Sequence, residues 1–287
     1  MSSYAFFLGC VIPIKFPGFE SATRQVANKL GIELTDMDFT CCPAPSIKSL
    51  NEDSWLAIGA RNIAVAEEKE QDIVTMCPGC LNTLTEVNFI LNTNEDKKEK
   101  INKILKKSGR QFKGTATIKH FLELLTEEEN LENLKQLITK KLPLKIGVHY
   151  GCHLLRPSEV MKRDGIEEKL DEIWQNLDFT LLDYPRKDLC CGAATGNIDM
   201  EKSHEIAKEK LDYLKEMSAD ALLTVCPTCF HQFDLAQVTL NRKYSANYNI
   251  PVINGTQLLA LALGANPESL GFEVNKIKVD KILNEIK

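Results

Sequence analysis

Short, continuous apolar runs alternate along this chain with longer stretches in which apolar residues recur every three or four positions. Residues 4–10 (YAFFLGC) and 72–77 (DIVTMC) are runs of the first kind, as are 144–152 (LKIGVHYGC), 178–185 (DFTLLDYP) and 221–226 (ALLTVC). They are too short for helices and lack an alternating polar face, so they suit strands buried on both sides of a parallel sheet. Residues 17–31 open with Pro-Gly, carry a helical period and stop at Gly31. Residues 54–70, 157–177 and 203–217 carry the same period. Strand and helix patterns that take turns in this way predict an α/β architecture with parallel strands.

The pattern occurs twice, and the cysteines mark the repeat. Cys10, Cys41, Cys42, Cys77 and Cys80 form one set; Cys152, Cys190, Cys191, Cys226 and Cys229 form the other. Each set reads as a single Cys, an adjacent pair, then CxxC. The pair and the CxxC recur at an offset of 149 residues, the leading cysteine at 142. Agreement extends to DIVTMCPGC and ALLTVCPTC, which share an apolar run, a threonine and a proline. Later, TATIKHFLELL (115–125) matches IPVINGTQLLAL (250–261); aligning Ile118 with Ile253 leaves 14 extra residues in the first half. They fall around 92–114, where eight Lys and Arg lie between 97 and 113 on a helical pattern. That segment reads as a solvated helix face, with a docking surface for an acidic partner as the alternative. The duplication predicts two tandem pseudo-symmetric Rossmann-like α/β domains with parallel sheets, residues 1–142 and 143–287.

Cys10, Cys77, Cys152 and Cys226 each end a predicted strand, and both adjacent pairs follow strand patterns, ELTDMDFT and LLDYPRKDL. Sites in parallel sheets lie beyond the carboxyl ends of the strands, so the five thiols of a half can converge there.

Composition narrows what the thiols do. The chain of 287 residues is 44% hydrophobic and 26% charged, which suits a soluble globular protein. A net charge of −5 gives no global basic field for nucleic acid. No apolar run approaches the ~18–20 residues that span a bilayer, and MSSYAFFLGC lacks the features of an export signal. A cytoplasmic location is expected, where disulfides are disfavoured and metal or redox chemistry leads. Zinc takes four ligands, which leaves one cysteine of each set unused. Adjacent cysteines diverge along an extended chain, which a multi-iron cluster accommodates because neighbouring thiolates reach different irons. Common clusters use four cysteines, so the pattern suggests two iron–sulfur clusters of unusual ligation. Neither G-x-G-x-x-G nor a phosphate-binding P-loop is present, so reducing equivalents come from outside.

The arrangement resembles the CCG-domain family, and two complete copies in one chain resemble the B subunits of heterodisulfide reductases from methanogenic archaea. YAFFLGC and YGCHLLRPSEV (150–160) carry the likeness further. One departure is Pro43 after the first pair, where the second pair has Gly192; proline cannot take the positive φ open to glycine, so the two sites are expected to differ in shape. The resemblance implies two noncubane [4Fe-4S] clusters, one on each five-cysteine set. It implies reduction of the CoM-S-S-CoB heterodisulfide to coenzyme M and coenzyme B thiols in methanogenesis. It also implies an A subunit with FAD, a C subunit with cubane clusters, and a hydrogenase in the larger complex. His153, next to Cys152, is the candidate proton donor, against a purely hydrogen-bonding role. His149 reads as a core residue, and His120, His204 and His231 make no stronger claim. Arg156, Arg186, Lys187 and the lysines of SHEIAKEK lie near the motifs and are candidates for anionic substrate groups. GAATGN (192–197) reads as an anion-binding turn or a plain loop. Trp55 and Trp174 read as core. Other readings are a CCG-type electron-transfer subunit of a succinate-, fumarate- or quinone-linked oxidoreductase, and a zinc-binding scaffold.

Overall fold

The computed structural model describes residues 2–285. It contains two four-stranded sheets, all of whose strand pairs are parallel. The first holds β1 (Ser3–Phe7), β2 (Glu33–Thr35), β3 (Ile73–Thr75) and β4 (Ile118–His120) in the order β2-β1-β3-β4. The second holds β5 (Lys145–His149), β6 (Thr180–Leu182), β7 (Ala221–Thr224) and β8 (Val252–Asn254) in the order β6-β5-β7-β8. The duplication is thus a duplication of topology. In each sheet the chain runs outward on one side of the first strand and then returns to its other side. The crevice at that switch lies between the carboxyl ends of β1 and β3, and of β5 and β7.

Apart from the partly exposed edge strands β2 and β6, the strands are largely buried because both faces are covered. Ala5 and Phe7 of β1 point into one apolar cluster and Phe6 into another. Each cluster draws on both halves of the chain: Phe16 and Phe19 meet the Phe230 ring edge-on at 5.2 and 5.0 Å. The halves also exchange helices. Helix Gly255–Ala262, which follows β8, packs on helix Pro17–Lys29 of the first half, and Phe121–Leu125, which follows β4, packs on Ile166–Asn176 of the second. Helix 255–262 is buried at every position, as a helix enclosed between two halves must be. Arg163 adds a shielded link, donating to Glu123 Oε1 at 2.7 Å and to the Ile118 carbonyl at 3.0 Å. Trp55 and Trp174 are buried, as their patterns predict.

Three local expectations are corrected. The helix expected over 157–177 is two, Ser158–Met161 and Ile166–Asn176, because Lys162 and Gly165 adopt left-handed backbone between them. The strand expected over 33–40 ends at Thr35, and the first cysteine pair sits on the loop beyond it. The counterpart of Ile118 is Val252, not Ile253: Ile73 pairs with Ile118 and Leu222 with Val252. The register is fixed by the capping residue that ends each strand. His120 and Asn254 both cap the following helix, with Glu123 and Gln257 completing the capping boxes. The first half therefore carries one extra residue more than the hydrophobic match indicates.

The basic helix Glu95–Leu105 lies against helices Glu52–Glu67 and Pro78–Thr93. Lys97 pairs with Glu52 and Lys100 with Asp53, and Arg110 beyond the helix pairs with Glu68, so much of the segment's charge is internally balanced. Among the described residues, no helix is long and apolar enough to cross a membrane.

Candidate metal centres

All ten cysteines are free thiols, gathered beyond the carboxyl ends of the strands. In the first set Cys10 follows β1, Cys41 and Cys42 follow β2, and Cys77 and Cys80 follow β3. Cys41 Sγ lies 3.3 Å from Cys10 Sγ, and Cys42 Sγ lies 3.0 Å from Cys80 Sγ. Cys77 interacts with Cys80 through their side chains. In the second set the contacts run Cys152 to Cys190, Cys190 to Cys191, Cys191 to Cys229 and Cys226 to Cys229. The order of exposure is shared but the second set lies deeper: Cys10 and Cys41 are exposed where Cys152 and Cys190 are half-buried, Cys42 and Cys77 are half-buried where Cys191 and Cys226 are buried, and Cys80 and Cys229 are both buried.

Backbone shape explains the close packing. The glycine before each leading cysteine has positive φ, +70° at Gly9 and +82° at Gly151. A Cβ at Gly9 would lie 2.8 Å from Cys80 Sγ, and one at Gly151 would lie 3.3 Å from Cys229 Sγ. Only glycine supplies that turn and leaves room for the second thiol of CxxC. Each CxxC opens a helix with proline at its first position, and in the first half the backbone N–H groups of Gly79 and Cys80 face the Cys77 sulfur. The loop of each pair is tied to the following helix in its own way. In the first half Asn62 is fully buried, accepts from Thr40 N and Oγ1 at 2.9 and 3.1 Å, and donates to the Cys41 carbonyl. In the second, buried Lys210 donates to the carbonyls of Arg186 and Leu189. Gly192 has φ +88° and its carbonyl accepts from Ser203 Oγ, a turn that Pro43 cannot make. The expected difference in shape is present.

Crowding sets the thiol chemistry. Hydrogen bonding from Cys80 pulls the Cys77 thiol below its ordinary range, and bonds from Cys152 and Cys191 pull Cys190 down. Their neighbours go the other way: burial pushes Cys41 up to about 12, and the bond to Cys190 pushes Cys191 up to about 12. Without a metal Cys41 and Cys191 hold their protons, and a bound cation would release them. Five sulfurs per site exceed the four of tetrahedral zinc, and the donor set fits a multi-iron group.

The two sites are close. His153 Nδ1 and Cys77 Sγ each lie 3.7 Å from the place a Cβ on Gly79 would take, so the side chain beside Cys152 reaches the CxxC of the other half. Cys77 packs against the same apolar cluster that holds Cys191, Cys226 and Cys229. His153 is half-buried, and burial lowers its pKa. His120 is buried between the halves beside the main chains of Met76 and Val225, and burial takes its pKa down to about 4. His149 is a core residue as expected, its pKa lowered by burial to about 3. It is also more: a ring nitrogen, Cys191 Sγ and Cys229 Sγ all lie within 4.8 Å of one another. Periodicity marks His149 as buried; its spacing of three residues before Cys152, at the strand end, is the sequence signal for a place in the site.

The expected anion binders are already engaged. Arg186 pairs with Glu209, Lys187 with Asp183 and Lys208 with Asp212; Arg156 lies 4.0 Å from Asp188. The stretch 192–197 ends in a single 3-10 turn, Thr195–Asn197, and Asp199 caps the helix that follows it.

Two parallel sheets that each aim five cysteines into a switch-point crevice define a tandem cysteine-rich protein. The chain belongs to the CCG cysteine-rich domain family, whose profile matches residues 4–85 and 146–234. It is 38% identical over 292 aligned residues to the B subunit of the ferredoxin:CoB-CoM heterodisulfide reductase of Methanosarcina mazei, covering 100% of this chain and 97% of that protein. It is 28% identical to the 8-methylmenaquinol:fumarate reductase membrane anchor subunit of Wolinella succinogenes, covering 97% of this chain and 98% of that one. The fold matches the crystal structure of a hypothetical protein from Helicobacter pylori with a TM-score of 0.76 at 15% identity, over 97% of this chain and 52% of that chain.

Proposed function

We propose that this chain is the disulfide-reducing subunit of a cytoplasmic heterodisulfide reductase, with CoM-S-S-CoB as substrate. The observation that carries the reading is the pair of five-cysteine sets meeting across the two halves, with His153 of one against the CxxC of the other. Full-length similarity to the B subunit of a heterodisulfide reductase supports it. In this reading residues 1–142 and 143–287 are two CCG units, each holding one noncubane [4Fe-4S] cluster on its five cysteines.

A disulfide takes two electrons and two protons to become two thiols. Two iron–sulfur groups supply those electrons singly when bound, drawn from a C subunit with cubane clusters and an FAD-bearing A subunit, with hydrogenase in the larger complex. The chain's own part is to hold the substrate between the mouths at Cys10 and Cys41 and at Cys152 and Cys190. His153 takes a proton from solvent and delivers it, as imidazolium, to one leaving thiolate, and solvent delivers the other.

The test is iron, sulfide and zinc per chain in protein isolated without oxygen, followed by disulfide reduction with an artificial one-electron donor. About eight iron with matching sulfide is expected. His153→Ala should keep its iron and lose roughly 10²-fold or more in turnover. About two zinc without sulfide would leave a structural protein. The full-length similarity to a fumarate reductase anchor protein supports a second reading, an electron-transfer role; iron-replete protein that passes electrons but reduces no disulfide would select it.

A further inference from the structure

The two centres differ at one buried position. Phe7 pairs in register with Thr75, and His149 with Thr224, so positions 7 and 149 correspond. Both side chains are fully buried. Phe7 packs on the Phe39 ring at 4.9 Å, and His149 meets Phe233 edge-on at 5.0 Å.

The two nitrogens of His149 have different surroundings. Nδ1 lies 3.1 Å from the Lys187 carbonyl. A carbonyl only accepts, so Nδ1 carries the hydrogen, and in the neutral ring Nε2 keeps a bare lone pair. Nε2 is buried and has no hydrogen-bond partner among the described residues. Cys191 Sγ and Cys229 Sγ, both buried, lie with a ring nitrogen of His149 inside one 4.8 Å group. Nδ1 is committed to the main chain, so Nε2 is the nitrogen left to face the sulfurs. An imidazole that spends one N–H on a carbonyl and aims its other nitrogen at thiols has the arrangement found in metal-binding histidines.

We propose that His149 Nε2 makes a direct contact with the metal group of the second site, a contact the first site cannot make because Phe7 stands there. The inference rests on the iron–sulfur reading above and deepens it. The first site is all sulfur; the second adds one nitrogen. Two otherwise duplicated centres then differ in electronic environment, and the second differs in reduction potential from the first.

The test uses the full chain loaded anaerobically with iron and sulfide, labelled with ¹⁵N only in histidine, partly reduced and examined by pulsed electron paramagnetic resonance. A histidine ¹⁵N coupling is expected in the wild type. It should survive in His153→Gln and vanish in His149→Phe. Redox titration of His149→Phe should shift one of two signals and leave the other in place. Iron-loaded wild type with no histidine coupling, or a coupling that disappears in His153→Gln, overturns the proposal and leaves the cluster reading standing. Wild type that assembles no iron–sulfur group overturns both. The wild-type and His153→Gln measurements decide the matter even if His149→Phe fails to fold.

Discussion

Replacing Gly9 with alanine tests how the first site is shaped. Two costs follow from one added carbon. The backbone at Gly9 has φ +70°, where a Cβ costs about 1–2 kcal/mol. The new Cβ also lies 2.8 Å from Cys80 Sγ, roughly half an ångström or more inside carbon–sulfur contact. Cys80 cannot retreat freely. It is buried in the first turn of helix Pro78–Thr93, and its sulfur already sits 3.0 Å from Cys42 Sγ. Metal–ligand bonds tolerate displacements of about 0.2 Å, so the thiol is pushed beyond reach of a centre built for it. Gly31 is a matched control: its φ is +69°, and a Cβ there meets nothing within 4 Å. Gly31→Ala should lose the same ~1–2 kcal/mol in denaturant unfolding and keep all its iron. Gly9→Ala should lose about half its iron and sulfide, falling from roughly eight iron per chain to roughly four, because the second site is untouched. Gly151→Ala, whose Cβ would lie 3.3 Å from Cys229 Sγ, should cause a partial loss from the second site. Full iron in Gly9→Ala, or equal loss in Gly31→Ala, would refute the reasoning.

The two loop ties give a paired prediction. Asn62→Ala removes the partner of Thr40 N and Oγ1, and should cost roughly 1–3 kcal/mol while loosening metal at the first site only. Lys210→Met leaves the Arg186 and Leu189 carbonyls unpaired, and should cost about 2–3 kcal/mol while loosening the second only; iron release to a chelator, followed by site-resolved spectra, reads both. For pH dependence, the folded state holds His120 at about 4, below its ordinary value of 6.5. The unfolded chain therefore binds more protons in that window, and stability present above about pH 6.5 is lost as pH falls towards 4, by about 3 kcal/mol. His120→Asn, which copies Asn254 and keeps the cap, should flatten that slope in urea unfolding at pH 7 and 4.5; an unchanged slope would sink the assignment.

Much of the architecture was legible because buried parallel strands leave a local mark. Residues 5–7 and 221–223 are apolar on both faces since both faces are covered, and that needs no knowledge of what covers them. The cysteine offset of 149 residues likewise shows the repeat in the chain itself. Errors fell where the deciding residue was not apolar. The break at Lys162 and Gly165 turns on backbone φ, and the one-residue slip at Ile118 turns on polar caps at His120 and Asn254.

Which segments become strands, and which thiols belong to which set, follow from the chain alone, because periodicity and spacing are properties of near neighbours. Folding decided the rest: that helices 121–125 and 255–262 cross to the opposite half, that His153 reaches Gly79, and that His149 turns a nitrogen to two sulfurs. An amphipathic or buried helix declares that it needs a partner without naming it. Which partner it finds depends on contacts more than a hundred residues distant in the chain, and those are settled only when the two halves close on each other.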